Sequence, residues 1–475
     1  MRRPLVTMLI AGLLATYGST TAWSQGLRQP EWTTVEAETL RHFQALLRLD
    51  TTSPPGHETR AVEYLKGVLE AEGIPVQVFA RESSRANLVA RLKGSGAKRP
   101  LLVMGHTDTV TVDATKWAHP PFGAVRDGGY AYGRGTLDDK DNVAAGLMTM
   151  LLLKRLDVPL DRDVIFLAES GEEGGSLVGI NHMIGEPFPA IDAEYCLAEG
   201  GGVRRAGGRV ADASIQTLQK HARTLELTAR GTAGHASVSL SDNALIALAE
   251  ATAKVGRWQT PIRLNETTAS YFKRLASVSP PDEAARYRAV LDAQSPGAAA
   301  ALEYFVKHEP SHASMLHTSL TPTMVDGGYR VNVIPSAATA TFDVRMIPDE
   351  NDETLLAAVR RVVDNPAITV AYGERVERPR STASARLDSE AFKVIEAAVT
   401  KIYDTITIPT MSTGGTDMAE VRSKGVQCFG IGPATDVEDT ALGFAAHSDQ
   451  ERLLESELHR FVRFLYEVVV GLARR

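Results

Sequence analysis

The chain of 475 residues is long enough for two domains, and its 44% hydrophobic and 23% charged residues are typical of a globular protein. A formal net charge of −7 and the lack of a basic block argue against nucleic-acid binding. Both cysteines, Cys196 and Cys428, lie in apolar runs, so neither a disulfide framework nor a cysteine zinc site is available.

Residues 1–24 have the features of a secretory signal peptide. A basic start precedes the apolar core Leu5–Tyr17, and small residues that include Ala22 and Ser24 suit a cleavage site. The sequence therefore predicts export, with the periplasm as the expected compartment and secretion as the alternative. An uncleaved anchor is the other interpretation of this segment. No later apolar run is long enough for a transmembrane helix.

A buried parallel strand is predicted over residues 101–105, and it ends in His106 with Asp108 two residues further on. Because strand side chains alternate with period two, His106 and Asp108 point the same way. A histidine can ligate a metal through one ring nitrogen while another group holds the second nitrogen. Before this strand, hydrophobic periodicity predicts helices over 35–49 and 58–72 and strands over 74–79 and 87–92.

Two further apolar runs end in carboxylates. Residues 164–168 lead to Glu172 and Glu173, and residues 193–198 lead to Glu199. In open α/β sheets, ligands bind beyond the carboxyl ends of the strands. The sequence therefore predicts an α/β sheet whose strand ends bring an imidazole and several carboxylates to one site.

A glycine-rich loop over residues 132–142 carries Asp138 and Asp139 and precedes an apolar helix over 143–156. Neither a Gly-x-Gly-x-x-Gly nor a Walker pattern is present, which disfavours a phosphate site. Paired aspartates at the start of a buried helix suit a cation better.

The pattern changes at residue 220, where strands with period-two alternation begin. A helical, alanine-rich insertion over residues 256–320 separates these strands from later ones. We predict a small α+β domain over residues 220–376, inserted in a larger domain formed by residues 25–219 and 377–475.

The final part of the chain offers a second histidine, His447, before an amphipathic helix predicted over 453–468. Nitrogen and oxygen ligands without thiolate suit Zn²⁺, Co²⁺ or Mn²⁺. Two such ions bridged by one carboxylate would lie about 3.5–4 Å apart. Of the adjacent Glu172 and Glu173, one can ligate while the other remains free as a general base.

These motifs, in this order, resemble the co-catalytic zinc peptidase family of glutamate carboxypeptidase, carboxypeptidase S, aminoacylase, acetylornithine deacetylase and succinyl-diaminopimelate desuccinylase. The resemblance covers nearly all the chain after the signal segment. It implies an α/β catalytic domain with a mixed central sheet flanked by helices, plus an inserted lid or dimerisation domain. The matching stretches are His106–Asp108, Gly133–Lys140, Gly171–Gly174, Glu199–Gly201, Gly234–His235, Asn332–Pro335, Asp343–Arg345, Gly415–Asp417 and His447.

The resemblance implies two divalent ions per chain, with Zn²⁺ favoured over Co²⁺ and Mn²⁺. It implies that His106 and Glu199 hold one ion, that Glu173 and His447 hold the other, and that Asp138 bridges them. The peptide bond between Asp138 and Asp139 is often cis in this family.

The remaining implied roles concern catalysis and substrate binding. Glu172 is the implied general base and acid, and Asp108 is expected to orient His106. In dimeric members the histidine that matches His235 reaches the active site of the partner subunit, so a homodimer through the inserted domain is expected. The implied substrate-binding residues are Asn332 and Arg345 for a carbonyl or carboxylate and Gly415 and Thr416 for the substrate backbone.

Simpler interpretations stay open for several of these residues. Asp108 and Asp138 could be helix caps or loop acids, His235 could be a turn histidine, and Arg345 could pair with Asp343. After His447 the family often has Asn-Glu, whereas this chain has Asp449-Gln450-Glu451. His447 is favoured because the other C-terminal histidine, His459, lies inside a predicted helix.

We conclude from the sequence that this is an exported, metal-dependent hydrolase of an amide bond in a small substrate. A dipeptidase or carboxypeptidase is favoured, and an N-acyl-amino-acid deacylase is the alternative. A non-catalytic periplasmic ligand-binding protein would not need Glu172 beside Glu173, and a metal-storage or interaction protein would not need Asn332, Arg345 and the glycine-rich loop.

Overall fold

The computed structural model describes residues 28–373 and 383–475. The predicted signal peptide, residues 1–24, and the predicted boundary between residues 376 and 377 lie outside the described residues. Within them, no helix combines the length and the apolar character that crossing a bilayer requires.

Short connections join the strands and helices of the described residues. The strands are β1 (Val76–Ala80), β2 (Ala86–Leu92), β3 (Leu101–His106), β4 (Val125–Asp127), β5 (Tyr130–Tyr132), β6 (Val164–Glu169), β7 (Tyr195–Ala198), β8 (Gly202–Ala206), β9 (Arg209–Gln219), β10 (His221–Arg230), β11 (Gly234–His235), β12 (Ser319–Gly327), β13 (Val333–Ile334), β14 (Ala337–Met346), β15 (Ile368–Tyr372), β16 (Thr407–Ser412), β17 (Gln427–Gly430), β18 (Ala434–Asp436) and β19 (Arg452–Leu454). The α-helices are α1 (Trp32–Leu47), α2 (Thr59–Ala71), α3 (Lys140–Arg155), α4 (Ile180–Met183), α5 (Ala244–Arg257), α6 (Glu266–Val278), α7 (Pro281–Ala289), α8 (Pro296–His308), α9 (Pro310–Leu316), α10 (Asp352–Val363), α11 (Glu390–Tyr403), α12 (Met418–Arg422), α13 (Val437–Ala441) and α14 (Glu455–Ala473).

The larger sheet has ten strands in the order β1-β2-β6-β3-β7-β17-β9-β8-β18, and β16 pairs with β9. The four adjacent strands β6, β3, β7 and β17 are parallel to one another, and β17 is antiparallel to its other neighbour, β9. The β1/β2, β2/β6 and β8/β9 pairs are antiparallel. The predicted mixed sheet is therefore confirmed, although the long β8/β9 hairpin was not predicted.

Both faces of the larger sheet are covered, which explains why β3 and β6 are continuous apolar runs. Every residue of β3 and β6 is buried. Leu101 and Val103 pack in one core with helices such as α3 and α14, whereas Leu102 and Met104 pack in the core on the opposite face. This alternation is the period-two geometry expected of a strand.

The smaller sheet has the strand order β12-β14-β10-β15 and lies within residues 221–372. Helices α5 and α10 bury one face of it, and the burial of β14 alternates residue by residue. Strand β12 is an edge strand, and its residues from 321 to 327 are exposed.

The predicted helical insertion is present as α6–α9. Its aromatic core includes Phe272 and Phe305 and continues into Leu218, Ile408 and Met411 of β9 and β16. The insertion therefore packs against strands of the larger sheet.

The last helix, α14, begins at Glu455, two residues later than the predicted start at residue 453. Residues 452–454 instead form β19, which pairs with β5 in the register Arg452 to Tyr132. The predicted start of the helix was therefore wrong, because these residues pair with β5 as a strand instead of forming a first helical turn.

Candidate active site

The parallel strands β3, β6 and β7 end side by side, and the predicted metal-ligating residues lie at or just beyond those ends. His106 is the last residue of β3 and pairs in register with Glu169, the last residue of β6. Glu199 directly follows β7. The fold therefore gathers these side chains at one edge of the sheet, as the sequence predicted.

His106 is completely buried, and both of its ring nitrogens face oxygen atoms. Its Nε2 lies 2.9 Å from Asp138 Oδ1. Its Nδ1 lies 3.1 Å from the backbone oxygen of Asp108 and 3.5 Å from Asp108 Oδ1. Asp108 thus contacts Nδ1, the ring nitrogen of His106 that does not face Asp138.

Asp138 lies between two histidines. Its Oδ1 faces His106 Nε2 at 2.9 Å, and its Oδ2 faces His447 Nε2 at 2.9 Å. Burial alone would raise the pKa of this carboxyl, but hydrogen bonds from His106 and His447 hold it below its usual range. This arrangement is the one that a bridging carboxylate needs. The peptide bond between Asp138 and Asp139 is cis.

His447 joins the cluster from the far end of the chain. Its Nε2 also lies 2.8 Å from Glu173 Oε1. Its backbone has a positive φ of 62°, which is uncommon for a residue other than glycine. The structure therefore brings together His447, Glu173 and Asp138, and the departure at Asp449 and Gln450 does not remove His447 from the cluster.

Glu451, for which the sequence predicted no role, supports the loop that carries His447. Its fully buried carboxylate accepts hydrogen bonds from Arg134 Nη1 at 2.9 Å, from the Gly135 backbone at 2.5 Å and from the His447 backbone at 3.1 Å. Arg134 also donates to the backbone oxygen of Ser448 at 2.8 Å. These contacts tie the loop that precedes Asp138 to the loop that carries His447.

We expect Glu451→Gln to destabilise the fold by about 3–5 kcal/mol, because the buried Arg134 guanidinium would lose its ionic partner. Urea unfolding measures this change. The control is Asp388→Asn, which removes the partner of Arg386 from an exposed pair and should leave the free energy of unfolding almost unchanged. Equal effects of the two substitutions would contradict a structural role for the Arg134–Glu451 pair.

Asp108 anchors the turn that presents the two adjacent glutamates. Its Oδ1 accepts the backbone N–H groups of Gly171 at 2.8 Å and Glu172 at 3.2 Å, and its Oδ2 accepts that of Glu173 at 3.1 Å. Burial opposes ionisation, yet the hydrogen bonds from His106 and from this turn lower the pKa of Asp108. Asp108 therefore contacts both the imidazole of His106 and the turn of Glu172.

Two overlapping groups of side chains have the spacing of metal ligands. The ligand atoms of His106, Asp138 and Glu173 lie within 4.8 Å of one another, and so do those of His106, Asp139 and Glu199. The paired aspartates predicted a cation nearby, but Asp139 was not among the ligands that the family resemblance implied. Its Oδ2 also accepts the backbone N–H of His106 at 3.0 Å.

The charges of this cluster fit divalent cations. Burial raises the pKa of Glu199 well above its usual range, and the neighbouring Asp139 carboxylate adds to this rise. Buried Glu169 has one side-chain oxygen, Oε2, without a hydrogen-bond partner among the described residues. Buried carboxylates in such number normally pair with cations or bind metals. The oxygen and imidazole donors are those that Zn²⁺, Co²⁺ or Mn²⁺ accept.

Glu172 lies beside the cluster and is free of the hydrogen bonds that engage Glu173. Burial raises the pKa of its carboxyl to about 7; His106 nearby opposes this rise, and the charges of Glu173 and Asp138 add to it. A carboxyl group with a pKa near neutrality can both accept and return a proton at physiological pH.

The other predicted residues lie outside the two ligand groups. His235 is exposed on the β11/β13 ribbon, where its Nδ1 contacts the backbone N–H and hydroxyl of Ser237 at 3.1 and 2.7 Å. Asn332 is exposed beside this ribbon, and its backbone oxygen accepts the N–H of Ala236. Arg345 donates to both carboxylate oxygens of Asp343 at 2.6 and 3.0 Å, as the simpler interpretation expected.

Gly415 is exposed, whereas Thr416 is buried close to the cluster. The Thr416 hydroxyl donates to Gln219 Oε1 at 2.9 Å. A Cβ atom on Gly200, the residue after Glu199, would lie 3.4 Å from Thr416 Cγ2 and 2.2 Å from Gln216 Oε1. Because Gly200 also has a φ of 98°, this close approach requires glycine.

The mixed sheet and its cluster of histidines and carboxylates are typical of a metal-dependent amidohydrolase. The chain belongs to peptidase family M20/M25/M40, whose family model matches residues 102–470.

Similar proteins span most of the chain. A probable carboxypeptidase S-like protein 2 of Dictyostelium discoideum is 26% identical over 397 residues, which cover 81% of this chain and 74% of that protein. Mouse aminoacylase-1 is 24% identical over 437 residues, or 91% of this chain and 94% of that protein. The M20 family metallo-carboxypeptidase Sso-CP2 of Sulfolobus solfataricus shares the fold with a TM-score of 0.66 at 19% identity, covering 91% and 98% of the two chains.

Proposed function

We propose that the described cluster holds two divalent cations, Zn²⁺ by preference, and hydrolyses an amide bond of a small peptide or N-acyl amino acid. His106 and Glu199 would hold one ion, Glu173 and His447 would hold the other, and Asp138 would contribute one oxygen to each. The observation that carries this assignment is the position of Asp138, whose two oxygens face His106 and His447 at equal distances of 2.9 Å.

When bound, the cations would polarise the scissile carbonyl group and lower the pKa of the attacking water. Glu172 takes the proton from that water and returns it to the leaving amine. Its carboxyl group is available for this role because it lies next to the cluster and is not one of the proposed metal ligands. Asp108 keeps Glu172 in place through the backbone of the turn. Gly415, Thr416, Asn332 and Arg345 are the proposed substrate contacts.

The favoured substrate is an unblocked dipeptide or short peptide, and an N-acylated amino acid is the second candidate. A carboxypeptidase S-like relative supports the first, and an aminoacylase relative supports the second. Amino-acid release detected with ninhydrin from dipeptides and from N-acetyl amino acids would separate the two. Chelator-sensitive release from dipeptides supports a peptidase, whereas release from the acylated set alone supports a deacylase. No release from either set, with both ions bound, would favour a ligand-binding protein.

A homodimer through the smaller sheet is part of the proposal. The edge strand β12 and helix α5 expose apolar side chains together, with Met324 at 67%, Val325 at 66% and Ile246 at 59% of their possible exposure. Large exposed apolar patches and open edge strands favour association. A second copy would cover this patch, and it would give exposed His235 a partner site to reach.

We expect Ile246→Glu to convert a dimer into a monomer, because a charge on the patch would be buried in the proposed interface. Sedimentation velocity measures the change in mass. The control is Val78→Glu on the larger sheet, which is 44% exposed and lies away from the patch, and it should leave the dimer intact. A wild-type protein that is monomeric at micromolar concentration would refute the dimer.

Export through the segment at residues 1–24 is the proposed route to the periplasm. Its support is the order of basic, apolar and small residues in the sequence. Mass spectrometry of the protein recovered from a periplasmic extract would test it, since a mature N-terminus near residue 25 is expected and an intact Met1 would contradict cleavage.

A further inference from the structure

A pocket of about 230 Å³ opens beside the proposed metal centre, on the side of β8, β18 and α13. Three of its lining residues are close chain neighbours of proposed ligands: Leu137 precedes Asp138, Ala446 precedes His447, and Gly201 lies two residues after Glu199. One end of the pocket is therefore at the site where the amide would be cleaved.

The walls of this pocket are mainly apolar and aromatic. Phe444 and Tyr130 both contact the Arg452 guanidinium, with ring centroids 3.9 and 4.1 Å from its central carbon. Both rings also line the pocket. A cavity of about 150 Å³ lined by apolar groups is enough for benzene, so this pocket has room for one aromatic or branched aliphatic side chain.

The charged groups of the walls neutralise one another. Arg452 donates to both oxygens of Asp439, at 2.5 and 3.3 Å, and Asp436 faces Arg205 at 3.5 Å. Arg205 also faces Glu457 at 3.6 Å, and neither residue lines the pocket. The Oδ1 atom of Asp436 has no hydrogen-bond partner among the described residues, but each charged lining group faces a group of opposite charge. A charged substrate group entering the pocket would therefore lose hydration without meeting an uncompensated charge.

We infer that this pocket binds an uncharged apolar group next to the scissile amide, such as a leucine or phenylalanine side chain. The inference rests on the proposed function for the identity of the scissile bond. The binding of the apolar group itself can be measured without turnover.

Binding of carboxylate probes by NMR tests the pocket directly. The metal-loaded wild-type protein should bind 3-phenylpropionate at least ten times more tightly than propionate, because the ring is removed from water. Thr440→Phe, and as a second filling variant Thr435→Phe, should remove this preference, since both threonines line the pocket and are exposed. The control Val437→Phe lies on the same helix as Thr440 but not in the lining, and it should keep the preference.

Two results would overturn the inference. One is equal binding of both probes by the wild type, or a preference that survives in both filled variants. The other is tighter binding of 6-aminohexanoate than of hexanoate, which would mean that the pocket selects a cation. Turnover of the dipeptide panel tests the proposed function separately. A ring preference without turnover would retain the pocket and refute the function, and turnover without a ring preference would do the reverse.

Discussion

Replacing Glu172 with glutamine is expected to lower kcat for amide hydrolysis by about 10²–10⁴-fold, the usual contribution of a general base. The substituted side chain has nearly the same shape but cannot accept a proton. Asp108 holds the turn through backbone N–H groups, so the turn does not depend on the Glu172 carboxylate. Metal analysis by mass spectrometry should therefore still find both ions in the variant.

Two comparisons make the Glu172→Gln result specific. Glu186→Gln changes an exposed glutamate and should leave kcat unchanged. Glu173→Gln alters the neighbouring carboxylate that contacts His447, and it should lose metal as well as activity. If Glu172→Gln kept kcat within tenfold of the wild type, another group would have to be the base.

The strands β3, β6 and β7 explain why the position of the cluster could be predicted from the sequence. Each is a short apolar run that ends at a polar residue, and parallel strands place their carboxyl ends on one edge. The fold therefore followed from local periodicity together with a rule of topology. The same reasoning found His106, Glu199 and the turn of Glu172.

Other features depend on contacts that no local pattern reveals. Glu451 and Arg134 are 317 residues apart, and the small β5/β19 sheet pairs the chain segments next to them. Asp138 and Asp139 are adjacent in sequence, so spacing alone could not show that both approach His106. The sequence shows an acid four residues after His447, but only the structure shows that it is buried and therefore needs hydrogen-bond donors.

His235 illustrates a different limit. Its surroundings in one chain are the exposed β11/β13 ribbon and Ser237. A role at an active site would depend on a second chain, and neither the sequence of one chain nor its fold contains the geometry of that contact. The role of His235 therefore depends on whether the exposed edge of β12 forms a dimer.

Replacing Asp138 with asparagine is expected to reduce the bound metal from two ions per chain to at most one, with an affinity loss of at least about 100-fold. An asparagine side chain keeps one oxygen but presents an NH₂ group at the other position, which cannot ligate a cation. Since the two Asp138 oxygens face different histidines, the substitution must remove one of the two contacts. Metal titration by isothermal calorimetry measures the stoichiometry, and Asp127→Asn at an exposed position is the control.

Activity should fall together with metal content in Asp138→Asn, unlike in Glu172→Gln, where only activity falls. This contrast separates a ligand from a base, because Asp138 contacts both histidines, whereas Glu172 lies beside the cluster with His106 nearby. An Asp138→Asn protein that still binds two ions with wild-type affinity would exclude Asp138 as the bridge. Asp139, whose carboxylate approaches both His106 and Glu199, would then be the residue to replace next.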